Sequence, residues 1–138
     1  MAINFHPASP ILRVSNLDAS IHYFENALGF TLDWRSENIF ASITRMKCDI
    51  MLSVGDQGEG MAWIYIGVGD IDALYQEYQR SGARIRQQPT NFPWACEMQV
   101  EDLDGNIIRF GAETKKDMQF GPWLDMKGNL WPIAQVGT

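Results

Sequence analysis

The segment Val14-Ser-Asn-Leu-Asp-Ala19 returns later in the chain as Val68-Gly-Asp-Ile-Asp-Ala73. Both copies read V-x-(N/D)-(L/I)-D-A, both follow a short apolar stretch, and both open an amphipathic helix. Such a repeat constrains the fold strongly, because each copy is one supersecondary unit that buries its apolar face against a neighbour.

In the first copy Leu17, Ile21, Phe24 and Leu28 recur on one helical face. Asn16 is a natural N-cap, Asp18 suits the first turn, and Gly29 fits the left-handed residue that ends a helix. In the second copy Ile71, Leu74, Tyr75 and Tyr78 form the stripe, between Asp70 as cap and Gly82 as stop. Strand-like runs precede the helices at 11–14 and 63–68. Others follow them at 31–35, 39–45 and 49–54, and at 84–87, 96–101 and 107–111. Asp104-Gly105 is a strong tight-turn pair. The expected fold is α+β: two βαβββ modules, at about 9–55 and 61–113, joined by the polar, Gly-rich 56–60. Residues 114–138 show no sustained period but carry Phe120, Trp123, Leu124, Leu130 and Trp131. This tail is expected to pack on the 1–113 domain or on a partner subunit, with a flexible tail as the other reading.

Alternation along the strands separates two faces. Ile39, Ala41, Ile43, Ile50, Leu52, Val54, Ile64, Ile66, Val68, Met98, Val100, Ile108 and Phe110 make an aliphatic face, to lie under the helices. The opposite face mixes Phe40, Ser42, Met51, Trp63, Tyr65, Glu97, Gln99, Ile107 and Arg109. That mixture fits a ligand cup with apolar walls and a few directed polar groups. A partly wet face covered by the tail or a second subunit is the alternative.

The net charge of −6 argues against nucleic acid and an anionic membrane surface, and would steer a cationic ligand favourably. No apolar run approaches the roughly 20 residues needed to span a bilayer. Cys48 and Cys96 form no metal-type pair, and MAINFHPASP lacks a secretory pattern, so the expected location is a reducing cytoplasm. His6 and His22 stand apart, the serines carry no nucleophile elbow, and Gly67-Val-Gly69 lacks the spacing and Lys of a phosphate loop. No cofactor and no catalytic constellation are expected.

The repeat, the stretch LRVSNLDASIHYFENALGF and the stretch EDLDGNIIRF resemble the vicinal oxygen chelate superfamily. That group includes glyoxalase I, extradiol dioxygenases, fosfomycin resistance enzymes and bleomycin resistance proteins. The resemblance covers about residues 9–113 and implies two modules curled into an open cup, usually in a dimer. It also implies a divalent metal held by His, Glu or Gln on four strands. The matching positions here are Ser9, Met51, Trp63 and Arg109, which form no ligand set, although a one-residue slip would bring in Asp49.

Within the superfamily, AWIYIG at 62–67, IDALYQEY, Pro93-Trp94, Glu97 and Asp104-Gly105-Asn106 are most similar to the bleomycin resistance branch. That resemblance implies drug binding without chemistry, in clefts at a homodimer interface. It also implies an exchanged N-terminal strand hinged at Pro10. Trp34, Phe40, Trp63 and Trp94 would stack on the planar ligand, and Asp33 and Glu97 would supply negative charge. Met51, Tyr65 and Arg109 complete the expected set. The expected function is sequestration of a planar aromatic ligand, neutral or cationic, such as a bleomycin-like glycopeptide. A metal-dependent glyoxalase- or dioxygenase-type enzyme with an atypical ligand set is the alternative.

Overall fold

The computed structural model describes residues 2–134; Met1 and residues 135–138 of the tail lie outside the described part. The first module runs β1 (Ile11–Arg13), α1 (Leu17–Asn26), β2 (Thr31–Ser36), β3 (Phe40–Arg45) and β4 (Cys48–Ser53). The second runs β5 (Trp63–Gly67), α2 (Ile71–Ser81), β6 (Arg84–Asn91), β7 (Cys96–Glu101) and β8 (Ile107–Ala112). Two short strands follow, β9 (Trp123–Leu124) and β10 (Leu130–Trp131).

Each module makes one mixed sheet, ordered β1-β4-β3-β2 and β5-β8-β7-β6. In both, the first strand lies parallel to the last and the rest are antiparallel. The sheets curl but do not close.

Both helices start where a side chain satisfies an orphan amide: Asn16 caps α1 through Ala19 N, and Asp70 caps α2 through Ala73 N. Gly82 is left-handed at the end of α2, and Gly29 takes the same conformation just beyond α1. The aliphatic face packs beneath them as expected, with Ala41, Ile43, Ile50, Leu52, Met98, Val100, Ile108 and Phe110 all buried in one core. Ile39 departs from that set: β3 begins at Phe40, and Ile39 is an exposed loop residue. Ile107 is buried despite facing the other way. β6 runs past Pro89 to Asn91, which an edge strand with register shifts at that point tolerates.

The modules dock through their helices. The Tyr23 hydroxyl on α1 donates to Glu101 O at 2.6 Å and accepts from Arg84 N at 2.9 Å. The Tyr78 hydroxyl on α2 donates to Leu28 O at 2.8 Å, and burial holds its pKa well above the usual phenol range. Arg45 grips Glu77 with two bonds, which lower the Glu77 carboxyl pKa.

At the other end of the interface, the turn between β7 and β8 acts as a staple. Asp102 Oδ1 accepts from Asp104 N and Asn106 N, and Gly105 supplies the positive φ of 81° that closes the turn. Asn106, fully buried, then reaches out. Its Oδ1 accepts from Ala62 N, and its Nδ2 donates to Arg13 O in the first module and to Asp102 Oδ2. Burial raises the Asp102 pKa against these bonds.

Candidate functional site

On the second sheet, β5, β7 and β8 present Trp63, Glu97, Gln99 and Arg109 on one face, as strand alternation requires. A cleft of about 480 Å³ opens over them. Phe92 and Trp94, from the connection between β6 and β7, form one side; their rings stack at 5.0 Å with planes 1° apart. Trp123, Leu124, Asp125 and Met126 form the opposite side.

That side belongs to the tail, which crosses the sheet as a strap. The second sheet holds it by the strap's backbone. Gln87 Nε2 donates to Pro122 O, Gln99 Nε2 to Leu124 O, and Arg86 to Asp125 O. The buried Asn91 donates to Lys115 O and Met118 O, and accepts from Lys115 N and the Thr114 hydroxyl. Its own carbonyl accepts from Gly121 N. With this roof in place Glu97 and Gln99 are buried, though they lie on the face opposite the helices.

The strap hairpin is a second version of the Asp102 turn. Asp102-Leu-Asp-Gly-Asn106 and Asp125-Met-Lys-Gly-Asn129 share D-x-x-G-N. Asp125 N donates to Asn129 O, Asp125 Oδ1 accepts from Lys127 N and Asn129 N, and Gly128 has φ 86°. The turn pairs β9 with β10 and stacks Trp123 on Trp131 at 5.5 Å. Trp131 Nε1 donates to Asp125 Oδ2, the main cause of that carboxyl's lowered pKa.

The charged floor is internally paired. Arg109 meets Glu97 Oε1 through Nε at 2.8 Å and through a terminal nitrogen at 2.7 Å. Trp94 Nε1 donates to Glu97 Oε2. Both oxygens of Glu97 are therefore engaged, and its side chain is only 4% exposed. Arg86 sits 5.6 Å from the centre of the Trp63 ring, and Arg109 the same distance from that of Tyr65. The Tyr65 ring lies over Gly111, where any Cβ would collide with it. Burial raises the Tyr65 pKa first, with Glu97 adding to the shift and Arg109 opposing it.

Of the residues expected from sequence, the structure thus brings Trp63, Trp94, Glu97 and Arg109 into one cleft. Tyr65 adjoins it through Arg109 but lines a separate recess with Pro10 and Asp49. Trp34, Phe40 and Met51 lie on the first sheet. Trp34 stacks on Phe40 at 5.6 Å, and Met51 pairs with Ser42, the same residue that Trp34 faces across the sheet. Asp33 is exposed in β2 at the register shift between Leu32 and Trp34. Phe92, Gln99 and the four strap residues complete the cleft beyond the expected set. The repeated D-x-x-G-N was the signal in the sequence that marks the strap as structured.

Ser9, Met51, Trp63 and Arg109 do not fit a divalent cation. A thioether is a poor ligand for a hard ion, an indole N–H only donates, and the guanidinium is a cation tied to Glu97. Among the described residues no group of three His, Cys, Asp or Glu side chains is placed to hold a metal. No helix among them is long and apolar enough to cross a membrane.

Comparison with curated protein sequences gives no match. Solved structures share the fold. The bleomycin-binding protein of Streptomyces verticillus, solved with copper(II)-bleomycin, is 24% identical with a TM-score of 0.66, over 83% of this chain and 100% of that one. TnmS3, an antibiotic binding protein from Streptomyces sp. CB03234, is 16% identical with a TM-score of 0.70, over 82% and 100%. TioX from Micromonospora sp. ML1 is 18% identical with a TM-score of 0.66, over 82% and 100%. The sequence pattern of one family matches residues 5–110, which span both βαβββ modules as far as the middle of β8 and stop short of the strap. On that match the chain belongs to the Glyoxalase/Bleomycin resistance protein/Dioxygenase superfamily.

Proposed function

We propose that this protein binds a planar aromatic small molecule without transforming it, sequestering the ligand in the cleft walled by Trp63, Trp94 and Trp123. The observation that carries this reading is the pairing of an aromatic-walled space of about 480 Å³ with a floor whose only buried acid is fully engaged. Aromatic walls contribute roughly 0.5–1.5 kcal/mol per stacked ring beyond area burial. A carboxylate committed to Arg109 and Trp94 is a poor proton acceptor or metal ligand. The likeness to two antibiotic-binding proteins supports an antibiotic-like ligand, a bleomycin-type glycopeptide among them.

Titrating bleomycin while following tryptophan fluorescence is expected to give saturable quenching. Trp94→Ala should weaken binding up to about tenfold, the loss of one stacking partner. Absence of quenching at high micromolar drug would remove the bleomycin version of the proposal.

The proposal includes a homodimer working in the cytoplasm. Ile3 and Phe5 are 87% and 95% exposed, and the Trp34–Phe40 stack lies uncovered on the first sheet. An N-terminal strand exchanged at Pro10 would cover the first pair, and a partner copy would set the Trp34 face against the other's cleft. Sedimentation equilibrium is expected to give a dimer; a monomer at high micromolar concentration would count against this arrangement.

A further inference from the structure

Resting on the binding reading above, we infer that the ligand of the strap-covered cleft is a planar aromatic whose rings carry hydrogen-bond acceptor oxygens, such as ketone, phenolate or carboxylate. A ligand that displaces water from a cleft has to replace the hydrogen bonds the water made, so the groups the protein leaves unpartnered there favour a ligand that can meet them.

The side-chain oxygens that line this cleft each take at least one donor from the protein itself. Glu97 Oε1 receives Arg109, and Oε2 receives Trp94 Nε1. Gln99 Oε1 receives Arg86. Asp125 Oδ1 receives Lys127 N and Asn129 N, and Oδ2 receives Trp131 Nε1. The strap carbonyls of Leu124 and Asp125 receive Gln99 and Arg86.

The donors are not used up. Among the described residues the indole N–H groups of Trp63 and Trp123 have no hydrogen-bond partner, and Arg109 spends only one edge of its guanidinium on Glu97. All three residues line the cleft. A ligand that brings donors shares those oxygens with protein donors, whereas one that brings acceptors meets three side chains whose N–H groups have no protein acceptor.

Two of the rings on this sheet already face a protein cation. Arg86 stands over Trp63, and Arg109 over the adjacent Tyr65. The net charge of −6 acts on encounter with a ligand more than on its pose.

Two tricyclic probes of similar size separate the alternatives: anthraquinone-2-carboxylate, rich in acceptors, and proflavine, whose ring substituents are amino donors. Isothermal titration calorimetry on the full chain is expected to show the anthraquinone binding at least about tenfold more tightly. Trp123→Phe keeps an aromatic wall and removes one N–H. It is expected to weaken the anthraquinone about fivefold and to leave proflavine within about twofold. Proflavine binding as tightly or more tightly overturns the inference while leaving a binding protein in place. An equal loss of both probes in Trp123→Phe overturns the donor role of that residue. If neither probe binds, the planar-ligand reading itself fails, and this inference with it.

Discussion

Asn106→Ala is expected to destabilise the protein by about 3 kcal/mol, lowering the unfolding midpoint by roughly 10 °C. The asparagine is fully buried and serves three groups from three places in the chain: Ala62 N, Arg13 O and Asp102 Oδ2. Alanine strands all three, each at about 1–3 kcal/mol, with water recovering part of the loss. Urea unfolding followed by tryptophan fluorescence measures it directly, and a change below about 1 kcal/mol would show that the staple is dispensable.

Asn106→Asp separates shape from hydrogen bonding. It keeps an acceptor for Ala62 N but sets a second carboxyl against Asp102, whose own pKa burial already raises. A carboxyl with a raised folded pKa holds its proton more tightly folded than unfolded. The variant's stability should therefore rise as pH falls through that folded value, the reverse of an ordinary ion-paired acid.

The second large effect is expected from Asn91→Ala. Its side chain holds Lys115 O, Met118 O, Lys115 N and the Thr114 hydroxyl, which fixes the strap where it leaves the domain. These groups are partly exposed once released, so the fold should lose only about 1–2 kcal/mol. The cleft should lose more. With the strap unpinned where it leaves the domain, Trp123, Leu124 and Met126 rest on the remaining anchors from Gln87, Gln99 and Arg86, and affinity for a planar ligand is expected to fall tenfold or more, about 1.4 kcal/mol per decade. Calorimetry on the variant decides it; unchanged affinity would mean that the strap is not a wall of the site.

Much of the architecture was legible because local rules and global packing agree in this chain. Asn16 and Asp70 cap the helices they seemed to cap, and the β7 limits match the sequence pattern at both ends. The strand after α2 is expected at 84–87 and extends to Asn91; Pro89 lies within the added part, and the edge position of the strand lets it continue there. Alternation correctly put Trp63, Glu97 and Arg109 on one face. It carries no information about which sheet faces share a cleft within one chain, and Trp34, Phe40 and Met51 lie on the first sheet. The tail's aromatic residues point to packing, but its two-residue strands leave no period to see. Its turn chemistry, Asp125-Met-Lys-Gly-Asn129, was the legible part.

The way the strap is held has a consequence for variation. The second sheet grips Lys115, Met118, Pro122, Leu124 and Asp125 by their carbonyl oxygens, and Lys115 and Gly121 by their amides. Every residue except proline offers both groups. Substitutions at Trp123, Leu124 or Met126 therefore alter what the cleft meets without loosening those anchors. Selection can rewrite this wall residue by residue and still inherit a docked strap, so related chains can diverge in ligand while keeping one scaffold.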